Sequence, residues 1–359
     1  MNWKTNLASQ FHKILWITLS WTFISLFQFG IGYASIEELD LDIDMDPLVP
    51  FRTSILTGVL AGILGGSGVV FLWERWLRSK PYGWALRSIL FSYLIIFVLV
   101  AYPTNVFYYS SLTRRPFFSV EVLSGALDRL WSFGTIVPLI NWLFIVVFTI
   151  IALLVNDKYG PGVFRKFLLG RYFKPRREER IFMFLDLRSS TAIAEELGEE
   201  QYFSFLREVF QFATPAILKH QGEIYQYVGD EIVISWEMEK GLRNANCINA
   251  YFDIQELLNQ RKSYFLNKYA AYPEFKAGVH QGHVMAGEIG VVKREIAYSG
   301  DVLNTAARIQ SKCNEFGVNL LFSNNLMGRL SLGNLVPQEL GDIELRGKQE
   351  RVKLFTLQV

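Results

Sequence analysis

The chain has 359 residues, of which 51% are hydrophobic and 19% are charged, and its formal net charge is +2. This length predicts two domains, and the nearly neutral charge gives no reason to expect a nucleic-acid partner. The two cysteines, Cys247 and Cys313, are too few for a disulfide framework or a thiolate metal site.

Four windows in the first part of the chain contain no charged side chain: 14–36, 53–73, 88–113 and 130–156. Each is at least about 20 residues long, which is the length of helix that crosses the hydrocarbon core of a bilayer. Four buried helices of a soluble core are the alternative, but the charged connectors between the windows disfavour it. The sequence therefore predicts a four-helix transmembrane domain at residues 1–157, embedded in a lipid bilayer.

The connectors between these windows differ in charge. Residues 37–46, after the first window, are acidic, whereas the connector 74–87 and the segment after the fourth window are rich in lysine and arginine. Because basic segments stay on the cytoplasmic side, we expect a multi-pass protein of the inner (plasma) membrane. Its amino terminus and everything after residue 157 should be cytoplasmic. Lys4 and Lys13 before the first window also fit a signal peptide, whose cleavage would leave that later orientation unchanged.

Three glycines recur at four-residue spacing in the second window, at Gly58, Gly62 and Gly66. Small residues at this spacing let transmembrane helices approach one another closely. Packing within one subunit and packing between subunits both explain the pattern.

A basic and aromatic segment follows the fourth window, at residues 158–178. We expect it to be a juxtamembrane linker that includes a short amphipathic helix at the membrane surface. The composition changes at Glu178, and residues 179–359 are predicted to form one soluble domain.

The soluble domain has a mixed pattern of helices and strands. In chain order the sequence predicts a strand at 180–186, a helix at about 192–219, a hairpin at 223–236, a helix at about 240–266, a strand ending in 275–290 with several turn glycines, a helix at about 301–315, and short strands through 352–357. The first helix should bury Phe203, Phe205, Val209 and Phe210. This order predicts an α+β sheet with helices on one face.

Two carboxylates are the first candidates for chemistry. Asp186 ends a buried strand, and Asp230 lies at the tip of the predicted hairpin. If the hairpin lies beside the first strand, the two side chains converge, and two carboxylates with a few other oxygen ligands suit Mg²⁺.

The loop from Leu187 to Thr191 immediately precedes a helix. Free backbone N–H groups at such a helix start bind anions, so Ser189, Ser190 and Thr191 are candidate phosphate-binding residues. The alternative is that Asp186 and Ser189 simply cap the helix.

A second group of candidates lies in the run SGDVLNTAARI. Asn304 and Arg308 are four residues apart on the predicted helix, so both project from one face. An amide and a guanidinium suit a sugar oxygen and a phosphate, although taken in isolation the pair is best explained as an ordinary exposed helix face. Arg346 is a third candidate cation.

Four pieces of the chain resemble, in order and spacing, the class III nucleotidyl cyclase catalytic domain: FLDLRSST, GEIYQYVGDEIVISW, AGVHQGHVMAGEIG and YSGDVLNTAARIQ. The resemblance spans about residues 180–357, and with the four predicted spans the chain resembles the bacterial membrane-anchored adenylate cyclases. It implies an α+β, ferredoxin-like catalytic domain after the transmembrane domain.

The resemblance also implies roles for individual residues. Asp186 and Asp230 match the residues that hold two Mg²⁺ or Mn²⁺ ions per site, with the Leu187 carbonyl near a metal. Asn304 would orient the ribose, Arg308 would stabilise the phosphate under attack, and Arg346 matches a triphosphate-binding position. In this family each site lies between two subunits, so a homodimer would convert ATP to 3′,5′-cyclic AMP and pyrophosphate at two equivalent sites.

The base-recognition positions fit neither nucleotide specificity of the family. Adenylate cyclases commonly have Lys at the position of Gln226 and Asp or Thr at that of Ala297, whereas guanylate cyclases use Glu and Cys-like residues. ATP is favoured because there is no guanine-reading carboxylate and because the membrane architecture resembles adenylate cyclases. A guanylate or pyrimidine nucleotide cyclase and a non-catalytic cyclase-like receptor are the alternatives.

Overall fold

The computed structural model describes residues 3–38, 46–73, 76, 80–159, 169–292, 294–333, 336–344 and 351–358. The chain divides into two compact units, Met1–Leu154 and Val155–Val359. Residues 160–168, which make up most of the segment predicted to form a juxtamembrane helix, lie outside the described residues. The candidate residue Arg346 also lies outside them.

The first unit is helical. Its helices are α1 (Trp3–Glu38), α2 (Leu48–Ser67, continued by the π-helical turn Gly68–Trp73), α3 (Tyr82–Thr113), α4 (Val120–Leu130) and α5 (Ile136–Tyr159). Four segments are long and apolar enough to cross a membrane: Gln10–Glu38, Leu48–Trp73, Gly83–Thr113 and Phe133–Ala152. This confirms the four predicted helices, whereas the short helix α4 was not predicted.

The spaced glycines of α2 pack against α1 of the same chain. A Cβ atom at Gly58 would lie 2.5 Å from the Cα atom of Thr22, and one at Gly62 would overlap the backbone of Thr18. The small residues therefore allow close contact of two helices within one chain.

The second unit is built on one eight-stranded sheet. Its strands are β1 (Arg176–Leu187), β2 (Glu223–Val228), β3 (Glu231–Glu237), β4 (Phe275–Ile289), β5 (Glu295–Ser299), β6 (Leu320–Ser323), β7 (Val336–Glu344) and β8 (Arg351–Gln358). Its helices are α6 (Ser190–Leu197), α7 (Glu199–Lys219), α8 (Met238–Leu242), α9 (Asn246–Asn259), α10 (Lys262–Tyr269), α11 (Asp301–Ser311), α12 (Cys313–Phe316) and α13 (Asn324–Met327). The strand order is β2-β3-β1-β4-β6-β8-β7, with β5 paired to β4.

Helices cover both faces of this sheet, so the expectation of helices on one face was wrong. Met183 and Leu185 of β1 belong to the main core, together with Phe205 of α7 and Ile254 of α9. Phe182, whose side chain points the opposite way, packs instead with residues of α11. The glycines of 275–290 explain the difference, because three of them, Gly278, Gly282 and Gly287, lie inside β4 rather than in turns.

Gly278 and Gly282 make room for α11 against the sheet. A Cβ atom at Gly278 would overlap the backbone nitrogen of Gln310, and one at Gly282 would lie 2.6 Å from a methyl carbon of Val302. These two residues face the same side of β4, and the absence of side chains on them lets α11 lie directly on the strand.

Three predicted helices are shorter than expected. The helix at 192–219 is interrupted at Gly198, whose φ of +72° is the left-handed conformation that glycine favours. Phe203 is exposed although Phe205 is buried, because residues two apart lie on nearly opposite sides of a helix. The helix at 240–266 is divided by the positive φ angles of Asn244 and Ala245, and α11 ends at Ser311.

We expect Gly278→Ala to destabilise the second unit by about 1–3 kcal/mol, because the added methyl group must displace α11 from the sheet. Calorimetry of the full chain in detergent measures the loss as a lower unfolding temperature. Gly328→Ala is the matched control, since a Cβ atom there would meet only the Asn324 carbonyl oxygen at 3.7 Å. Equal unfolding temperatures for the two variants would contradict this close packing.

Candidate active site

The site is built at the end of the central strand β1, which lies between β3 and β4. In the register of the sheet Asp186 is opposite Glu231 on β3 and opposite Lys276 on β4. Because side chains alternate along a strand, Asp186 lies on the same face as Phe182, which is the face covered by α11.

One ammonium group and one amide group contact the Asp186 carboxylate. Lys276 Nζ lies 3.0 Å from its Oδ2 atom, and the side-chain nitrogen of Gln310 donates to the same oxygen at 2.9 Å. Burial raises the pKa of Asp186, the Lys276 ammonium lowers it, and the neighbouring Asp230 carboxylate raises it again. The net pKa is above the ordinary aspartate value.

The structure brings Asp230 to Asp186, as expected from the predicted hairpin. The turn between β2 and β3 contains Gly229 at a φ of +61°, and this turn presents Asp230 at the end of the sheet. The two carboxyl groups are close enough to interact directly.

Glu231 adds a third carboxylate that was not predicted. It is half-buried, and burial followed by the charges of Asp186 and Asp230 raises its pKa to about 7. Three acidic side chains thus share a small region with one lysine, so the region attracts further positive charge.

A divalent cation fits this set of donors. Aspartate oxygens are the ligands that Mg²⁺ prefers, and Mg²⁺ completes its shell with water and substrate phosphates rather than with a full protein cage. Among the described residues, no group of three or more His, Cys, Asp or Glu side chains is placed to hold a metal ion. Leu187 has no side-chain oxygen, so only its backbone carbonyl could contribute a ligand.

The loop before α6 has the conformation of an exposed turn. Ser189 adopts a left-handed φ of +54° and its side chain makes no capping hydrogen bond to the helix, so capping does not account for this serine. Ser190 begins α6, and Thr191 is exposed.

Tyr202 of α7 lies beside this loop and was missed by the sequence analysis. Burial and then the charge of Asp230 raise the pKa of the Tyr202 hydroxyl, whereas a hydrogen bond with Ser190 lowers it. The tyrosine therefore links the candidate phosphate loop to the carboxylates.

The structure does not direct the Asn304 side chain toward the carboxylates of its own chain. The sheet-facing side of α11 consists of buried residues that include Ala306 and Gln310, whereas Asn304 is exposed and Arg308 is half-exposed. The same helix thus presents Gln310 to Asp186 and presents Asn304 on its opposite side.

The two candidate base-recognition residues lie on different strands. Gln226 is exposed on β2, directly after an irregularity in its pairing with β3. Ala297 lies on β5 opposite Gly287. The neighbouring Tyr298 packs against Phe182, with ring centroids 5.4 Å apart.

The residues that sequence analysis missed follow from strand register. In the sequence Glu231 and Lys276 are charged residues of a kind that usually lies at the surface. Only the register of the sheet, which places both of them opposite Asp186, shows that they belong to the site. The adjacency of Glu231 to Asp230 was the one available signal. The hydrogen bond from Gln310 to Asp186 requires α11 to lie close to the sheet, and the sequence did not predict this close packing.

We expect Glu231 to make stability depend on pH. Its native pKa is about 7, whereas unfolded glutamate titrates near pH 4.3, so the native state binds more protons between these values. The free energy of unfolding therefore falls as the pH rises from about 4.3 to about 7. Glu231→Gln should unfold at a higher temperature than the parent chain at pH 8, and this difference should vanish at pH 4.

Thermal unfolding in the presence of a chelator measures this effect without bound cations. Glu200→Gln, at an exposed position on α7, is the control and should follow the parent chain at every pH. Parallel pH profiles for Glu231→Gln and the parent chain would contradict the assignment.

Comparison with known proteins agrees with this geometry. Residues 174–358 match the family model described as the adenylate and guanylate cyclase catalytic domain. Adenylate cyclase 2 of Rhizobium meliloti (strain 1021) is 35% identical over 209 residues, which are 58% of this chain and 58% of that protein. The adenylate cyclase of Anabaena cylindrica is 26% identical over 182 residues, which are 48% of this chain and 35% of that protein.

The chain thus spans 58% or less of these relatives' lengths. A solved structure of a bacterial light-regulated adenylyl cyclase is similar with a TM-score of 0.53 and 21% identity, covering 64% of this chain and 67% of that one. At this identity the similarity concerns the fold. The family match covers more than half of the chain and includes every described site residue, so the chain belongs to the class III nucleotidyl cyclases, the family of the adenylate and guanylate cyclase catalytic domain.

Proposed function

We propose that this chain is a membrane-bound adenylate cyclase that converts ATP to 3′,5′-cyclic AMP and pyrophosphate at the interface of a homodimer. The observation that carries the proposal is the convergence of Asp186 and Asp230 at the end of β1, beside Lys276. The relatives named adenylate cyclase support the choice of reaction.

Asp186 and Asp230 would hold Mg²⁺ or Mn²⁺, two ions per site, with the Leu187 carbonyl as a further oxygen. When bound, such ions would lower the pKa of the ribose 3′-hydroxyl and neutralise the charge of the triphosphate. The raised pKa of Asp186, caused first by burial and then by the Asp230 carboxylate, supports this role, because a bound cation would favour the charged form of the aspartate.

The triphosphate would lie between the loop before α6 and Lys276. Backbone N–H groups of Ser189, Ser190 and Thr191 can donate to phosphate oxygens, and the Lys276 ammonium can move from Asp186 to a phosphate nearby. Arg346 is proposed as a second cation for the same group on the basis of the family resemblance.

The second half of each site would come from the partner subunit. Asn304 and Arg308 lie on the side of α11 away from the sheet, where they can reach a facing molecule. In the reaction the ribose 3′-oxygen attacks the α-phosphorus, its proton leaves, and the bond from the α-phosphorus to pyrophosphate breaks. Asn304 would orient the ribose and Arg308 would stabilise the charge on the reacting phosphate.

Exposed apolar side chains support the dimer. Ile289, Val291 and Val292, at the tip between β4 and β5, are 61%, 93% and 102% exposed. Tyr227 and Val228 at the end of β2 are about half exposed. Apolar clusters of this kind commonly mark protein interfaces, and a twofold dimer would bury each of them twice.

The proposed membrane topology is based on the charges of the segments that connect the helices. The acidic connector after α1 and the basic segments after α2 and α5 favour a cytoplasmic catalytic unit. The inner membrane and its bilayer would anchor two catalytic units close together.

The proposed division of each site between two subunits is tested by mixing variants. Asp186→Asn and Arg308→Ala should each be inactive alone, because each damages both sites of its homodimer. Co-expression in equal amounts should restore roughly a quarter of the parent activity, since about half of random dimers are mixed and each mixed dimer contains one intact site.

Asp186→Asn co-expressed with Asp230→Asn is the matched control and should stay inactive, since both changes affect the same half of the site. Differently tagged subunits allow the mixed dimers to be purified and assayed for cyclic AMP. Full activity of Asp186→Asn alone, or restoration in the control pair, would refute the proposal.

We expect ATP to be preferred over GTP by about tenfold or more in kcat/KM, as expected for one or two polar base contacts. Gln226→Lys should raise this preference and Gln226→Glu should lower it, because a carboxylate accepts hydrogen bonds from guanine. Steady-state assays with all four nucleoside triphosphates measure the ratio. Equal turnover of several nucleotides would defeat the adenylate assignment and leave the cyclase assignment intact.

A further inference from the structure

The membrane-spanning unit contains a cavity of about 600 Å³. All of its lining residues belong to the compact unit Met1–Leu154. Sites for small molecules typically measure roughly 300–1,000 Å³.

One end of the cavity is aromatic and apolar. Trp21 of α1 and Trp142 of α5 meet there edge to face, with ring centroids 5.7 Å apart. Phe97 of α3 and Val146 of α5 also line this part. Such a surface suits a hydrocarbon chain.

The other end of the cavity is polar. Gln28 near the end of α1, Thr53 near the start of α2, Asn105 near the end of α3 and Thr135 just before α5 line it. Since consecutive spans run in opposite directions, these four positions lie at the same end of the bundle. The cavity therefore changes from polar to apolar along the direction of the helices.

Arg129 gives the polar end a positive charge. Among the described residues that line the cavity, it is the one with a charged side chain. Its guanidinium carbon lies 4.8 Å from the centre of the Tyr108 ring, an arrangement that holds the cation beside the cavity. The amide groups of Gln28 and Asn105 provide further hydrogen-bond donors.

We propose that this cavity binds an amphipathic lipid with an anionic head group. The head would be held by Arg129, since a guanidinium forms paired hydrogen bonds with a carboxylate or a phosphate. The hydrocarbon chain would lie against Trp21 and Trp142. A free long-chain carboxylate and an anionic phospholipid share this chemistry. With the proposed topology the head-group end lies on the non-cytoplasmic side of the membrane.

The test uses the full chain in nanodiscs of phosphatidylcholine, which has no net charge. The probe is a long-chain carboxylate with a photoreactive diazirine near the end of its tail, and labelled residues are mapped by mass spectrometry. We expect saturable labelling at the aromatic end of the cavity. Excess oleate should suppress it, whereas oleyl alcohol, which has the same chain without the charge, should not.

A second competition identifies the source of the ligand. Nanodiscs that also contain phosphatidylglycerol supply an anionic phospholipid head group. Suppression of labelling by oleate alone assigns the site to free carboxylates, and suppression by phosphatidylglycerol assigns it to bilayer lipid. Suppression by neither would overturn the proposal.

Two glycine variants on α1 provide a matched pair. Neither Gly30 nor Gly32 has an atom within 4 Å of an added Cβ atom, so Leu should be accommodated at both positions. Gly32 lines the cavity and Gly30 does not. Gly32→Leu should therefore reduce saturable labelling by about tenfold or more, whereas Gly30→Leu should leave it unchanged.

Arg129→Gln tests the charge at the polar end. Loss of a charge-assisted hydrogen bond should weaken apparent affinity for the carboxylate by about tenfold or more. Circular dichroism and the elution profile of each variant verify that the bundle remains folded. Equal labelling of Gly32→Leu and Gly30→Leu, unchanged affinity in Arg129→Gln, or labelling confined to residues outside the cavity would refute the site.

Discussion

The burial of several carboxylates close together at the end of β1 is the constraint on which the catalytic unit depends. Asp186 lies on the central strand, where burial disfavours its charge, and Asp230 and Glu231 add negative charge beside it. Lys276 from β4 forms an ion pair with the Asp186 carboxylate, and Gln310 from α11 donates a hydrogen bond to it. Gly278 lets that helix come close enough for the second contact. The proposed cations and triphosphate substrate would complete the charge balance.

Strand β1 also carries a buried cation, and the comparison distinguishes a structural charge from a functional one. Arg180 is fully buried and donates to Glu178, Glu223 and Ser235, and its guanidinium carbon lies 4.7 Å from the centre of the Tyr298 ring. Its charge is distributed over several partners and ties three strands together. At Asp186, by contrast, Lys276 and Gln310 share one oxygen, and further acids lie nearby. A buried charge surrounded by like charges is typical of a binding site.

Much of this organisation follows from local sequence patterns. The uncharged windows predicted the four long helices of the first unit, because a span requires only length and apolarity. Asp186 and Asp230 could be paired because a strand end and a hairpin tip are local signals. The positions of Lys276 and Gln310 could not be predicted. That of Lys276 depends on the register of the sheet, and that of Gln310 depends on a helix packed against glycines. The glycine-rich pattern of 275–290 predicts turns, whereas Gly278 and Gly282 lie where α11 approaches the strand. Sequence alone does not distinguish a turn from a close approach.

The most direct test of the cyclase proposal is the product balance of the purified full chain. With Mg²⁺ or Mn²⁺ and ATP labelled in the α-phosphate, the account predicts one 3′,5′-cyclic AMP and one pyrophosphate for each ATP consumed, without free phosphate. Formation of ADP and phosphate, or of no cyclic product from any nucleoside triphosphate by the folded dimer, would contradict it.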